Sequence, residues 1–155
     1  RRKFILGSIM IGILILSTAG YAFFGYGSGS NDSGYNGQYY QINVGGRELY
    51  LLNDPSSLEV QVSLQSNINQ YNLLYVDINN SFVYNHLVGN LAPYLQIKEA
   101  CYGSCDRDLP EKDCNSDIII WKNSDTNRVY QQNKCIFIEG DLVSADAFLY
   151  KFFNG

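Results

Sequence analysis

Three of the chain's four cysteines fall within the run CYGSCDRDLPEKDC, residues 101–114, with six charged side chains between them. Sulfur at that density can bind a metal, exchange disulfides or cross-link the chain. Zinc ligands come in close pairs such as C-x2-C, often with histidine. Here the intervening spacings are three, eight and twenty residues, and His86 is the only histidine. That pattern predicts no metal and no cofactor. Thiol exchange needs C-x-x-C with its low-pKa thiol at a helix N-terminus. Cys101 and Cys105 stand one residue too far apart, and the following DRDLP does not begin a helix. The remaining chemistry is cross-linking, which suits four cysteines in an oxidising compartment. Cys101, Cys105, Cys114 and Cys135 are therefore read as two disulfides. Spacing prefers Cys101–Cys105 with Cys114–Cys135, and Cys105–Cys114 with Cys101–Cys135 stands beside it. Closing a loop of about 20 residues stabilises by roughly 3 kcal/mol in the chain-entropy model.

The other polar groups suggest little catalysis. Asp106, Asp108, Glu111 and Asp113 offer oxygens to calcium, but the D-x-[DN]-x-[DN]-G pattern is missing and Arg107 and Lys112 intervene. They read as a solvated loop. There is no G-x-S-x-G elbow, and His86 flanks the apolar stripe of a predicted helix, as a partly buried structural histidine does. Glu139 and Asp141 bracket Gly140 at a predicted strand-to-helix turn, where two carboxylates can act as acid and base. A strand end followed by a helix cap accounts for them equally well. Asn31 and Asn79 begin N-x-S sequons and are possible glycosylation sites. The eleven basic residues are scattered and the net charge is −4, which excludes the clustered cationic surface that nucleic acids require.

The compartment is written at the N-terminus. Arg1–Lys3 precede the uncharged run from Phe4 to Leu16, and small residues follow as far as Ala22. This order is that of a secretory signal peptide. Phe4 to Tyr26 carries no charge, so residues 1–26 also suffice for an uncleaved membrane anchor, a hydrophobic helix of about 20 residues. Both readings leave Lys and Arg in the cytoplasm and put the body outside, either secreted or held at the cell membrane. Residues 27–38 are rich in Gly, Ser and Asn and read as a flexible linker. The G-x-G-x-G spacing at Gly25, Gly27 and Gly29 lacks the flanking strand and helix of a phosphate loop.

Residues 39–155 must then position whatever chemistry exists. YYQINVGGRELYLL predicts a hairpin about Gly45-Gly46, which sets Ile42 against Leu49 and Tyr40 against Leu51. LLYVDI, residues 73–78, is a buried strand, and Asn79-Asn80-Ser81 supplies capping residues. Val83, Tyr84, Leu87, Val88 and Leu91 recur at helical spacing until Pro93. With YLQIKEA as the next strand, this predicts a βαβ unit with parallel strands. DIIIWK is a further strand, RVYQQNKCIFIEG a second hairpin, and DLVSADAFLYKFFNG a core helix capped by Asp141. The predicted class is a small α/β domain, with α+β as its variant: a mixed sheet, a βαβ unit, two hairpins and a C-terminal helix.

NKCIFIEGDLVSADAFLYKFFNG, with ACYGSCDRDLPEKDC and RVYQQ, resembles a group of small, uncharacterised, signal-bearing archaeal extracytoplasmic proteins. Their C-terminal Cys-apolar-x-apolar-Glu-Gly segment precedes an amphipathic helix containing Ala-Asp. The resemblance covers roughly the last 60 residues. It implies an extracytoplasmic α/β domain and brings no activity or binding residue with it. The functional expectation is a non-enzymatic cell-envelope domain that binds or assembles with surface components. Alternatives are an enzyme or thiol–disulfide exchange factor using Cys101 and Cys105, or an accessory subunit of a membrane complex. Partners would be the membrane, through an uncleaved N-terminal segment, and an envelope protein; a small-molecule ligand is unspecified.

Overall fold

The computed structural model describes residues 39–155. The expected signal or anchor (1–26), the linker (27–38) and the Asn31 sequon lie outside the described residues. Among the described residues no helix is long and apolar enough to cross a membrane.

Strands β1 (Tyr40–Val44) and β2 (Arg47–Leu51) form a two-stranded antiparallel sheet of their own. Gly45 and Gly46 close it with φ of 59° and 81°, the positive region that a two-residue hairpin loop demands. The register pairs Ile42 with Leu49 and Tyr40 with Leu51, as alternation requires. Val44, Leu49 and Leu51 turn inward and are buried.

The main sheet has six strands: β3 (Gln61–Ser63), β4 (Leu73–Asp77), β5 (Gln96–Glu99), β8 (Ile118–Lys122), β9 (Arg128–Gln132) and β10 (Cys135–Glu139). Their spatial order is β3-β9-β10-β8-β4-β5. β10, β8, β4 and β5 run parallel, while β9 is antiparallel to β10 and β3 is parallel to β9. Helix α1 (Ser81–Leu91) connects β4 to the parallel β5, so the expected βαβ unit forms. Asn80 caps α1 by accepting from the N–H groups of Phe82 and Val83. The second hairpin turns at Asn133, whose φ is 52°, a conformation that asparagine tolerates better than most residues.

A sheet covered on both sides makes near-continuous apolar strands. Leu74, Val76, Ile119, Ile136 and Ile138 face α1, the first hairpin and helix α2 (Leu142–Asn154). The expected stripe of Ala145, Leu149 and Phe152 is wholly buried, and Phe148 and Phe153 widen it. Ile118, Ile120, Cys135 and Phe137 face the opposite side. Among the described residues no helix covers that side; the β5–β8 connection does. It carries a short parallel pair, β6 (Cys101–Tyr102) and β7 (Glu111–Lys112), and buries Ala100 and Cys101. The fold is mixed α/β, with the cysteine-rich loop serving as the second outer layer.

Candidate functional site

The hairpin leaves the backbone of Glu48, Tyr50 and Leu52 pointing away from β1. An unpaired strand edge must find other partners. Here three side chains supply them. Tyr94 Oη accepts from Glu48 N (2.9 Å) and donates to Glu48 O (3.1 Å). Asn90, on α1, accepts from Tyr50 N through Oδ1 (2.8 Å) and donates through Nδ2 to Tyr50 O (3.1 Å). Asp146, on α2, accepts from Leu52 N through Oδ2 at 3.0 Å. The same oxygen accepts from the backbone N and side-chain Nδ2 of Asn53, each at 2.7 Å. The hairpin, which has no third strand among the described residues, is thereby locked to both helices.

Asp146 has a second function in this seam. It is fully buried, and its Oδ1 lies 2.6 Å from His86 Nε2. A carboxylate only accepts, so the proton sits on Nε2. The buried side-chain polar atom left without a partner among the described residues is Trp121 Nε1, so His86 Nδ1 is not stranded in this seam. The ring is only 8% exposed and lines a groove of about 460 Å³ between α1 and β2. Tyr39, Tyr50, Leu52, Phe82 and Asn85 contribute to its walls, and no charged side chain lines it among the described residues. The nearby Glu48 charge holds the Tyr50 phenol above its usual pKa, so that ring stays neutral. Volume, aromatic walls and a few polar atoms match what small-ligand sites require.

A second polar cluster gathers on the opposite side of the sheet, at the C-terminal ends of the parallel strands. Asp77, the last residue of β4, accepts from Tyr102 N (2.8 Å) and pairs with the Arg107 guanidinium. Lys122 Nζ lies 4.9 Å from the centre of the Phe137 ring, and Tyr102 packs edge-on against Phe137. Glu139 accepts from Arg128 Nε (2.5 Å) and from Tyr130 Oη (2.9 Å). The Arg128 hydrogen bond holds the Glu139 carboxyl below its ordinary pKa. Burial, reinforced by the bond to Glu139, pushes the Tyr130 phenol up. Asp77 pairs with Arg107 and Glu139 with Arg128, and the bonds from Asp77 to Tyr102 and Arg107 hold the cysteine loop on the sheet.

The sequence candidates can now be placed. Cys101–Cys105 and Cys114–Cys135 are the two disulfides, and the described residues contain no free cysteine. Asp106, Asp108, Glu111 and Asp113 are exposed and do not converge, for no three potential metal ligands cluster among the described residues. Asp113 instead accepts from the backbone and side chain of Asn115, which lowers its carboxyl pKa. Glu139 and Asp141 part company: one joins Arg128 and Tyr130, and the other caps α2 through Val143 N (2.9 Å). Asn79 is exposed in the loop before α1. Asp146 was not anticipated. Its signal was an acid one position beyond Ala145 on a helix expected to be core, in a chain with a single histidine. The chain matches no family model, no curated protein and no solved structure.

Proposed function

We propose that residues 39–155 are an extracytoplasmic binding or assembly domain of the cell envelope, one whose sulfur builds architecture and performs no reaction. The observation that carries this reading is the state of the cysteines. Cys101 and Cys135 are fully buried, and all four thiols are spent in disulfides. Such cross-links persist outside the cytoplasm. The Cys114–Cys135 bridge ties the approach to β8 to the first residue of β10, and so fixes two adjacent central strands. The expected topology of the N-terminal segment and the resemblance of the last 60 or so residues to extracytoplasmic proteins point the same way.

Thiol exchange through Cys101 and Cys105 is the second reading, favoured by the half-buried position of Cys105. One experiment separates them. Thiol titration of the air-purified full chain, native and denatured, should find none, and non-reduced peptide mapping should return both bridges. Two titratable thiols, or rapid selective reduction of Cys101–Cys105 by a mild dithiol, would overturn the architectural reading. Location is tested by adding protease to intact cells expressing the chain. The body should be cleaved from outside; full protection would refute the extracytoplasmic assignment.

A further inference from the structure

We infer that Asn79 is the acceptor of an N-linked glycan, transferred from an oligosaccharide carried on a polyprenyl phosphate. The inference rests on the extracytoplasmic reading of the domain, because a lipid-borne donor of this kind presents its sugar at the outer face of the membrane. Of the two N-x-S sequons, at Asn31 and Asn79, the second lies within the described residues. Spacing alone makes no acceptor; the folded chain must leave the sequon's groups open. Here it does. β4 ends at Asp77, Ile78 enters the core, and Asn79, Asn80 and Ser81 then stand exposed in succession. Asn80 has extended backbone angles, φ −112° and ψ 117°, so the stretch stays out of the helix until Ser81 begins it.

The two neighbouring asparagines have different tasks. Asn80 spends its side-chain oxygen on capping α1, accepting from Phe82 N (3.0 Å) and Val83 N (3.1 Å). The Asn79 carboxamide and the Ser81 hydroxyl make no hydrogen bond among the described residues. Other polar groups at these strand ends are occupied: Asp77 holds Tyr102 and Arg107, Glu139 holds Arg128, and Asp141 caps α2. A glycan is bulky and strongly hydrated, so its anchor must be an exposed side chain whose loss from the fold costs no contact. Asn79 meets that condition. The step is a displacement at an anomeric carbon. The Asn79 amide nitrogen bonds to C1 of the first sugar while the C1–O bond to the lipid phosphate breaks. The phosphate oxygen keeps that electron pair, and one amide proton passes to a base of the transferase. An amide nitrogen shares its lone pair with the carbonyl and is a weak nucleophile, so the transferase must grip the sequon firmly. The free Ser81 hydroxyl, two residues on, is the handle. Only the cap bonds of Asn80 need to open for this, and helix ends fray readily.

Peptide mass spectrometry of the full chain, isolated from the envelope of its own cells, tests this. Trypsin cuts after Arg47 and Lys98, which places Asn79 on peptide 48–98 and Asn31 on another. Peptide 48–98 holds no second N-x-S or N-x-T. It should carry an added oligosaccharide mass, and fragmentation should put the attachment on Asn79. Asn79→Gln and Ser81→Ala, expressed in the same cells, should each abolish the addition. Ser81→Thr restores the hydroxyl and should keep it. All three change exposed side chains, so the variants should fold with both disulfides formed. A bare peptide 48–98 from the native chain overturns the inference. So does an added sugar that survives Asn79→Gln, and so does its loss in Ser81→Thr. A chain cleaved by external protease whose peptide 48–98 is bare keeps the extracytoplasmic reading and loses this one. A glycan on Asn79 in a chain with free thiols keeps this inference and overturns the architectural reading of the cysteines.

Discussion

Asp146→Ala should be among the most damaging single substitutions in the domain, and Asp146→Asn a mild one. The carboxylate receives four donors: Leu52 N, Asn53 N, Asn53 Nδ2 and His86 Nε2, at 2.6–3.0 Å. Alanine strands them. Leu52 N and His86 Nε2 lie in buried surroundings where water cannot replace the lost acceptor, and each such orphan costs about 1–3 kcal/mol. Asn53 is half-buried and recovers part of its loss from solvent. The sum is about 3–5 kcal/mol, the range found when one partner of a buried charged pair is removed. Against a native stability of about 5–15 kcal/mol this is a third or more of the total for most domains. Asparagine keeps an oxygen for Leu52 and Asn53 and turns an NH2 toward His86. The imidazole can then move its proton to Nδ1 and accept through Nε2. The remaining cost is the difference between charged and neutral hydrogen bonds, about 1–2 kcal/mol.

Urea unfolding of the oxidised protein measures both variants, and imidazole 15N shifts report which nitrogen of His86 holds the proton. Nε2 should be protonated in the native chain and Nδ1 in Asp146→Asn. An alanine variant within about 1 kcal/mol of the native chain would refute the reasoning. Equal destabilisation by both substitutions would refute the part that assigns the loss to stranded donors.

Three other outcomes follow from separate parts of the structure. Replacing Cys114 and Cys135 together by alanine should cost about 3 kcal/mol, because the bridge spans a sequence separation of 21 residues, whereas the pair Cys101 and Cys105, separated by 4, should cost about 2 kcal/mol; urea midpoints of the two double variants give the order, and the reverse order would contradict it. Glu139 is held below its unfolded pKa of about 4.3, so its contribution is fully present above that pH and disappears as pH falls through the lowered folded value. Glu139→Gln should therefore be less stable than the native chain at pH 7 and converge with it in acid, as stability measured across pH will show; a constant gap would contradict this. Gly140 has φ of 110°, and a Cβ there would meet Asn127 Oδ1 at 1.9 Å, the atom that accepts from Asp141 N and Ser144 Oγ. Gly140→Ala should cost about 2 kcal/mol or more in thermal unfolding, from backbone strain and the displaced amide together, and a neutral effect would show that the turn relaxes freely.

What sequence could deliver depended on whether the determining signal was local. The first hairpin was legible in full register because two glycines fix the turn and alternation then fixes every pair. The unit β4–α1–β5 and helix α2 were legible because capping residues and a sustained helical period bound them. The order of the main sheet was not. β8 lies between β10 and β4, and only long-range pairing of similar isoleucine-rich strands decides that. The small β6–β7 pair was missed, being too short to show a period. In the candidate site, His86 was visible and its partner was not, since sixty positions separate them. Asn90 lies within the predicted helix and Tyr94 opens the predicted strand YLQIKEA; their task, completing the edge of β2, exists only once the hairpin has docked.

The two chemistries of the domain occupy opposite sides of its main sheet, and this makes them separable. Cys135 and Phe137 belong to the side covered by the cysteine loop, while Ile136 and Ile138 belong to the helix side that supports α1, α2 and the groove. Strand alternation isolates the two layers, because neighbouring residues of β10 never share a face. Removing the Cys101–Cys105 bridge should therefore loosen the hold of Asp77 on Tyr102 and Arg107 and leave the tautomer of His86 unchanged. Asp146→Ala should do the opposite, opening the seam between the hairpin and the helices while both disulfides stay formed. A Cys101→Ala/Cys105→Ala variant whose His86 15N shifts change as they do in Asp146→Asn would show the layers to be coupled through the sheet, and the groove could then no longer be treated as independent of the redox state of the loop.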